Sequence, residues 1–270
     1  MADARTPSPP RLDEVLIDLR ERVATVTLNR PERRNALSPG MLRDLLTALT
    51  WCRDEPGVRV VVLTGAGDRA FCAGADLSTF EAGGAELERH RERHRFVDLF
   101  SLLQDLGKPL VGRINGHALA GGFGLACACD LLLAVETATF GTPEINVGLW
   151  PAMVQAILAR NLPRKLVLEM VLLGDRWSAA QMREAGLLNR VAGSLEELDA
   201  QVEELTGRLA ARSPAVLKLG RDSFYRQQDM ELGAALEYLH SQLTLISLTE
   251  DAREGARAFF EGREPRFQGR

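Results

Sequence analysis

The chain is short of the residues that most functions advertise. Its four cysteines, Cys52, Cys72, Cys127 and Cys129, include no CxxC pair of the kind that holds a metal. Cys127 and Cys129 lie in an apolar stretch and read as buried free thiols. The opening MADARTPSPPR has no apolar core, so it does not read as a secretory leader. Its Pro and Ser content predicts a disordered lead over residues 1–11. Without a leader the expected compartment is the cytoplasm, where thiols stay reduced. Positive charge is not in excess, with 33 Lys and Arg against 37 Asp and Glu, which argues against nucleic acid as the main partner. The one long apolar run, 118–135, contains Asp130, which is costly in hydrocarbon, so no membrane partner is expected. There is no Walker A sequence, no GxGxxG and no GxSxG, which removes the usual nucleotide cradles and the serine nucleophile elbow. His90 and His94 are spaced i, i+4 but in HRERH, not HExxH, and the flanking arginines would repel a cation. No metal is expected.

What is present alternates. Val15 to Leu19 and Val23 to Leu28 read as strands around a polar turn at Glu21-Arg22. Ser38-Pro39 marks a helix start, and Leu42, Leu45, Leu46 and Leu49 recur at helical spacing. Val58 to Leu63, Pro109 to Ile114 and Leu131 to Val135 are apolar runs suited to buried parallel strands. Glu86 to Leu106 predicts a charged surface helix. Beyond Pro151, residues 152–173, 178–185, 195–212, 214–228, 231–247 and 250–261 read as helices. The fold class is therefore α/β, with a core over 12–200 and a helical region over 201–270.

Two small-residue segments stand out. The first is Phe71-Cys72-Ala73-Gly74-Ala75-Asp76-Leu77 and the second Leu119-Ala120-Gly121-Gly122-Phe123-Gly124. Each lets backbone N–H groups approach a ligand closely, although each is equally explained by a tight turn or by close helix–sheet packing. The second opens a helix, whose first N–H groups favour a developing negative charge. Two such donors converging on one carbonyl oxygen make an oxyanion hole. Glu144, in Phe140-Gly141-Thr142-Pro143-Glu144-Ile145, has apolar neighbours that would raise its pKa towards a useful acid/base value. A helix-start or salt-bridged glutamate is the plainer alternative.

These pieces together resemble the enoyl-CoA hydratase/isomerase, or crotonase, superfamily. The matching stretches are Leu28-Asn29-Arg30-Pro31 with Asn35-Ala36-Leu37, then Val61 to Gly65, Phe71 to Leu77, Ile114 to Gly124, Cys129-Asp130 and Phe140 to Ile145. The tail from Glu254 to Phe267 is similar to the family's last helix. The resemblance implies a spiral of ββα units with a helical C-terminal trimerisation region. It implies an acyl-CoA substrate, whose coenzyme A is the only cofactor, and a homotrimer or homohexamer. By position, Ala75 and Gly121 are the implied oxyanion donors and Glu144 the implied acid/base. Ala36, Ala73, Asp76 and Leu77 fall where the family lines the pantetheine and adenine end, with Gly122 beside them. Arg33 and Arg34 are either contacts to coenzyme A phosphates or solvated loop charges.

The sequence departs from the pattern at two places. Hydratases of the family carry a second glutamate three residues after the second oxyanion glycine, and that position here is Gly124. One carboxylate suffices to shift a double bond, whereas hydration also needs a water held and activated. Trp150 and Met153 stand where many relatives have a glycine-rich stretch, and serve either an apolar acyl pocket or the core. His117, four residues before Gly121, is expected to pack near the site. Hydratase and isomerase both stay open, beside a hydrolase or decarboxylase on the same scaffold and a non-catalytic acyl-CoA-binding relative.

Overall fold

The computed structural model describes residues 8–76 and 86–270. Strands β1 (Val15–Arg20) and β2 (Val23–Leu28) form a hairpin, and Glu21 and Arg22 at its tip both take positive φ. Helix α1 (Pro39–Asp54) starts where expected. Ser38 Oγ accepts from Met41 N at 2.9 Å, and Pro39 occupies the first helical position, where no N–H is needed. Leu42, Leu45 and Leu49, with Met41 and Ala48, are buried, and Leu46 is part-buried against the same core.

The chain then winds. Strands β3 (Val60–Gly65) and β4 (Ala70–Cys72) are followed by α2 (Glu86–Gln104). Strands β5 (Leu110–Ile114) and β6 (His117–Leu119) are followed by α3 (Gly121–Cys127). Strands β7 (Leu131–Val135) and β8 (Thr139–Gly141) lead into a 3-10 turn over Pro143–Val147. Each turn of this spiral gives its first strand to one sheet and its second to another. The larger sheet runs β1-β2-β3-β5-β7-β10 and is parallel beyond the hairpin, with β10 at Arg190–Ala192. The smaller runs β4-β6-β8-β9, with β9 (Arg176–Ser178) antiparallel to β8. All six residues of β3 are buried, as a central parallel strand requires.

The smaller sheet, together with β10 at the edge of the larger one, corrects the sequence reading, which took no strands at 117–119, 139–141, 176–178 or 190–192. Three-residue strands are too short for an alternation of apolar and polar residues to show. The helix expected over 152–173 is two, α4 (Val154–Asn161) and α5 (Arg164–Leu173), because Pro163 cannot continue a helix. After α6 (Ala179–Glu184), the rest is α7 (Leu195–Ala210), α8 (Pro214–Gln227), α9 (Leu232–Ser247) and α10 (Glu250–Glu261). Leu232, Leu236 and Leu243 of α9 and Phe259 and Phe260 of α10 are exposed. No described helix is long and apolar enough to cross a membrane.

A part-buried ion pair ties α8 to the spiral. Arg221 Nε donates to Asp130 Oδ2 at 2.8 Å, and Tyr225 Oη donates to Asp130 Oδ1 at 2.6 Å. Leu110 N at the start of β5 donates to the same carboxylate at 2.8 Å. The remaining guanidinium nitrogens reach the carbonyls of Leu103 (2.6 Å) and Gln104 (2.7 Å), which end α2. Burial and the Asp130 charge push the Tyr225 phenol well above its ordinary pKa, so it stays a donor. Removing one partner strands the other's charge and leaves the α2 carbonyls bare. Arg221→Ala is therefore expected to cost about 3 kcal/mol in urea unfolding.

Candidate active site

The two small-residue segments leave β4 and β6 at their C-terminal ends, and these strands are adjacent. The segments touch. A Cβ on Gly74 would lie 2.9 Å from Leu119 O and 3.1 Å from Gly121 N, and Gly74 has φ +95°. A Cβ on Gly122 would collide with the carbonyl oxygen of Cys72. Both glycines are therefore required by backbone lying against backbone.

Hydrogen bonds aim the donors. Leu37 N donates to Gly74 O (2.8 Å) and Asp76 N to Leu37 O (3.1 Å), which turns the intervening Ala75 N–H the other way. Ala75 N lies 3.7 Å from the point where a Cβ on Gly121 would stand. Ala120, just before α3, has φ +52° and ψ −128°, an unusual conformation for alanine. Its own N–H is spent on Gly141 O at 2.8 Å. Among the described residues, neither Ala75 N–H nor Gly121 N–H has an acceptor.

Two buried asparagines hold this arrangement from behind. Asn35 Nδ2 donates to Ala66 O (3.0 Å) and Ala70 O (2.8 Å), while its Oδ1 accepts from Arg30 N (3.0 Å). Asn115 Nδ2 donates to Gly67 O (2.8 Å) and its Oδ1 accepts from Gly65 N (3.1 Å). The β3–β4 loop is thus fixed from both sides, and with it the path into Ala73–Asp76.

Glu144 stands in the 3-10 turn that leaves β8, the other neighbour of β6. Its carboxyl is half-buried, and Oε2 has no hydrogen-bond partner among the described residues. Burial raises its pKa above the ordinary carboxylate value, opposed in part by its own backbone N–H. The salt-bridged alternative finds no partner among the described residues. An unpaired buried carboxylate of raised pKa is a candidate proton carrier.

The other expected residues fall as follows. Ala36 is buried, and its carbonyl accepts from Arg30 Nη1 at 3.1 Å. Ala73 donates to Arg34 O at 3.0 Å. The Asp76 carboxylate pairs with Arg30 at 3.1 Å. Leu77 lies outside the described residues. Trp150 is exposed, its indole N–H bonded to Gln155 Oε1 at 2.9 Å. Met153 packs against the core. His117 Nδ1 shares a hydrogen bond with Thr139 Oγ1 at 2.9 Å. His94 pairs with Asp98, and the described residues hold no group of side chains suited to a metal.

Sequence reading missed the aromatic face of α2. Phe96 Cε1 stands 3.5 Å from the Cβ point of Gly121, so its ring borders the donors. Phe100 Cζ and Val154 Cγ2 each lie 3.1 Å from the Cβ point of Gly124. Space for a second carboxylate at position 124 is filled with hydrocarbon. The signal was there in Phe96, Leu99, Phe100 and Leu103, an apolar stripe at helical spacing beneath a charged run.

A model of the enoyl-CoA hydratase/isomerase family matches residues 18–270. The chain is 35% identical over 260 residues to the 2,3-dehydroadipyl-CoA hydratase of Escherichia coli strain K12, covering 96% of this chain and 100% of that one. Its fold superposes on the crystal structure of an enoyl-CoA hydratase from Mycobacterium smegmatis with a TM-score of 0.90, at 35% identity, over 94% of this chain and 99% of the other. The crystal structure of an enoyl-CoA hydratase from Bacillus anthracis matches with the same TM-score at 31% identity, over 96% and 100%.

The packing makes one outcome sharp. Gly122→Ala is expected to destabilise the fold by about 1–3 kcal/mol, because its methyl meets a carbonyl that cannot move alone. Thermal melting followed by circular dichroism checks this, and an unchanged melting temperature contradicts the contact.

Proposed function

The chain belongs to the enoyl-CoA hydratase/isomerase family, and we propose that it moves a proton on an enoyl-CoA thioester through an enolate. The thioester oxygen lies between the N–H groups of Ala75 and Gly121, which carry the charge that builds up on it. Donors of this kind are worth about 2.7–4 kcal/mol each in the transition state. Glu144 takes a proton from one carbon of the acyl chain and returns it to another, which moves the double bond. Ala36, Ala73, Asp76, Leu77 and Gly122 line the coenzyme A path, and Trp150 borders the acyl end. The scheme needs no cofactor beyond the coenzyme A of the substrate.

One observation carries this reading: the Glu144 carboxyl is half-buried, with one oxygen unpaired among the described residues and its pKa raised by burial. The packing of Phe100 and Val154 at Gly124 favours the double-bond shift, because position 124 then supplies no second carboxylate to activate water. Hydration is the second reading, favoured by the hydratase names of the relatives. The exposed leucines of α9 and phenylalanines of α10 support assembly into a homotrimer or homohexamer.

Glu144→Gln is expected to lower kcat about 10²–10⁴-fold on a 3-enoyl-CoA, with the acyl-CoA still bound. A variant that turns over as fast as the parent removes Glu144 from the mechanism. Incubation in labelled water separates the two reactions: one exchangeable label and a shifted double bond mark isomerisation, and a new hydroxyl marks hydration.

The pKa of Glu144 sets two pH dependences. As a base it works ionised, so kcat rises with pH through a value above the ordinary 4.5. Stability runs the other way. Between 4.5 and the raised value the unfolded chain ionises first, so folding loses free energy as pH rises. Glu144→Gln is therefore expected to melt higher than the parent at pH 8, with the gap closing below pH 4.5. Melting curves across that range check it.

A further inference from the structure

The pairing that aims the Ala75 amide is itself spanned by one side chain. Leu37 and Ala75 face one another as an isolated parallel bridge. Arg30 Nη1 donates at 3.1 Å to the carbonyl of Ala36, the residue before Leu37. The same nitrogen donates at 3.1 Å to Oδ2 of Asp76, the residue after Ala75. A terminal guanidinium nitrogen carries two hydrogens, so both are used, one on each side of the bridge.

The arginine is fixed in turn. Its N–H donates to Asn35 Oδ1 at 3.0 Å and its carbonyl accepts from Asn35 N at 2.9 Å, so the buried asparagine holds its backbone. Its Nε lies 3.5 Å from Glu14 Oε1, and the other oxygen of Glu14 accepts from Ser38 Oγ, the cap of α1. Glu14 N donates to Oδ2 of Asp44, in α1, at 2.8 Å. The side chains of Arg30 and Asp76 are 18% and 16% exposed, so solvent ions screen this pair weakly. The proposed reaction builds negative charge on an oxygen bonded to Ala75 N–H, beside the residue that carries the Asp76 carboxylate. A carboxylate in that place opposes the new charge, and a guanidinium bonded to it offsets the opposition.

We propose that Arg30 is a positioning residue for the Ala75 donor: it pins Ala36 and Asp76 on either side of the bridge and balances the Asp76 charge next to the oxyanion. The inference rests on the function proposed above. A guanidinium suits both tasks, since its fork serves a carbonyl and a carboxylate at once and its charge persists at any working pH. Sequence reading held Arg30 only as part of a matching stretch, because its two partners lie on segments far apart in the chain.

The carbonyl of a bound thioester reports on the donors without turnover. Infrared difference spectroscopy uses the full-length protein and butyryl-CoA, isotope-labelled at its carbonyl carbon. In the parent protein this band is expected at lower frequency than in solution, because hydrogen bonds to the oxygen weaken the C=O bond. Arg30→Gln is expected to return the band towards its solution value. Arg30→Lys is expected to stand between, since it keeps the charge and loses the fork. Adding Asp76→Asn to Arg30→Gln is expected to recover part of the shift, because the opposing charge has gone. On a 3-enoyl-CoA, Arg30→Gln is expected to lower kcat about 10–30-fold with KM little changed, the mark of an interaction made in the transition state. Melting curves establish that the variants are folded, and Arg30→Lys carries the comparison if Arg30→Gln is not. A band and a kcat equal to the parent's in the folded variant overturn the inference. So does a double variant with no recovery, which makes Arg30 a structural tie alone. An unshifted band in the parent overturns the oxyanion reading and this inference with it, so the two failures are told apart.

Discussion

Backbone lies against backbone where the loop after β4 meets the turn after β6, and the rest of the site is arranged around that contact. At Gly74 and Gly122 a single methyl would meet a carbonyl or an amide of the facing segment. With side chains gone, hydrogen bonds to flanking residues choose which way each amide points. Leu37 occupies Gly74 O and Asp76 N, and Gly141 O takes Ala120 N. Among the described residues the N–H groups of Ala75 and Gly121 are left without acceptors, close to one another. The cost is the uncommon φ of Ala120, kept by the strand pairing on either side of it.

The buried asparagines explain why so slight a contact holds its shape. Asn35 and Asn115 are fully buried, and their amides bind the backbone groups that a loop leaves unpaired. The loop between the two sheets therefore behaves as part of the core. Glu144 is treated in the opposite way. One of its oxygens has no partner among the described residues, and burial raises its pKa at a cost in stability, a combination found where a group must change charge in use.

Much of this was legible in the residues, for physical reasons that differ by element. Helix α1 announced itself through Ser38, Pro39 and a leucine stripe, because capping and periodicity are local. Strand β3 announced itself as an unbroken β-branched run. The smaller sheet did not, since strands of three residues are defined by their partners. The paired glycines marked the candidate site, while the aromatic side chains beside it stayed hidden because Phe96 and Phe100 follow a dense run of charge. Gly124 was legible as a missing carboxylate. What fills the gap was not, since Phe100 and Val154 meet there only in three dimensions.

The reach of Arg221 bears on the order of assembly. Leu103 and Gln104, at the end of the helix that carries Phe96 and Phe100, are met by a guanidinium 118 and 117 positions later in the chain. During synthesis, both sheets and both donor loops emerge before that arginine does. The end of the helix that carries Phe96 and Phe100 is therefore bonded by a segment made much later, α8, which also holds Asp130. Until then the carbonyls that end this helix lack the guanidinium that bonds them in the finished fold.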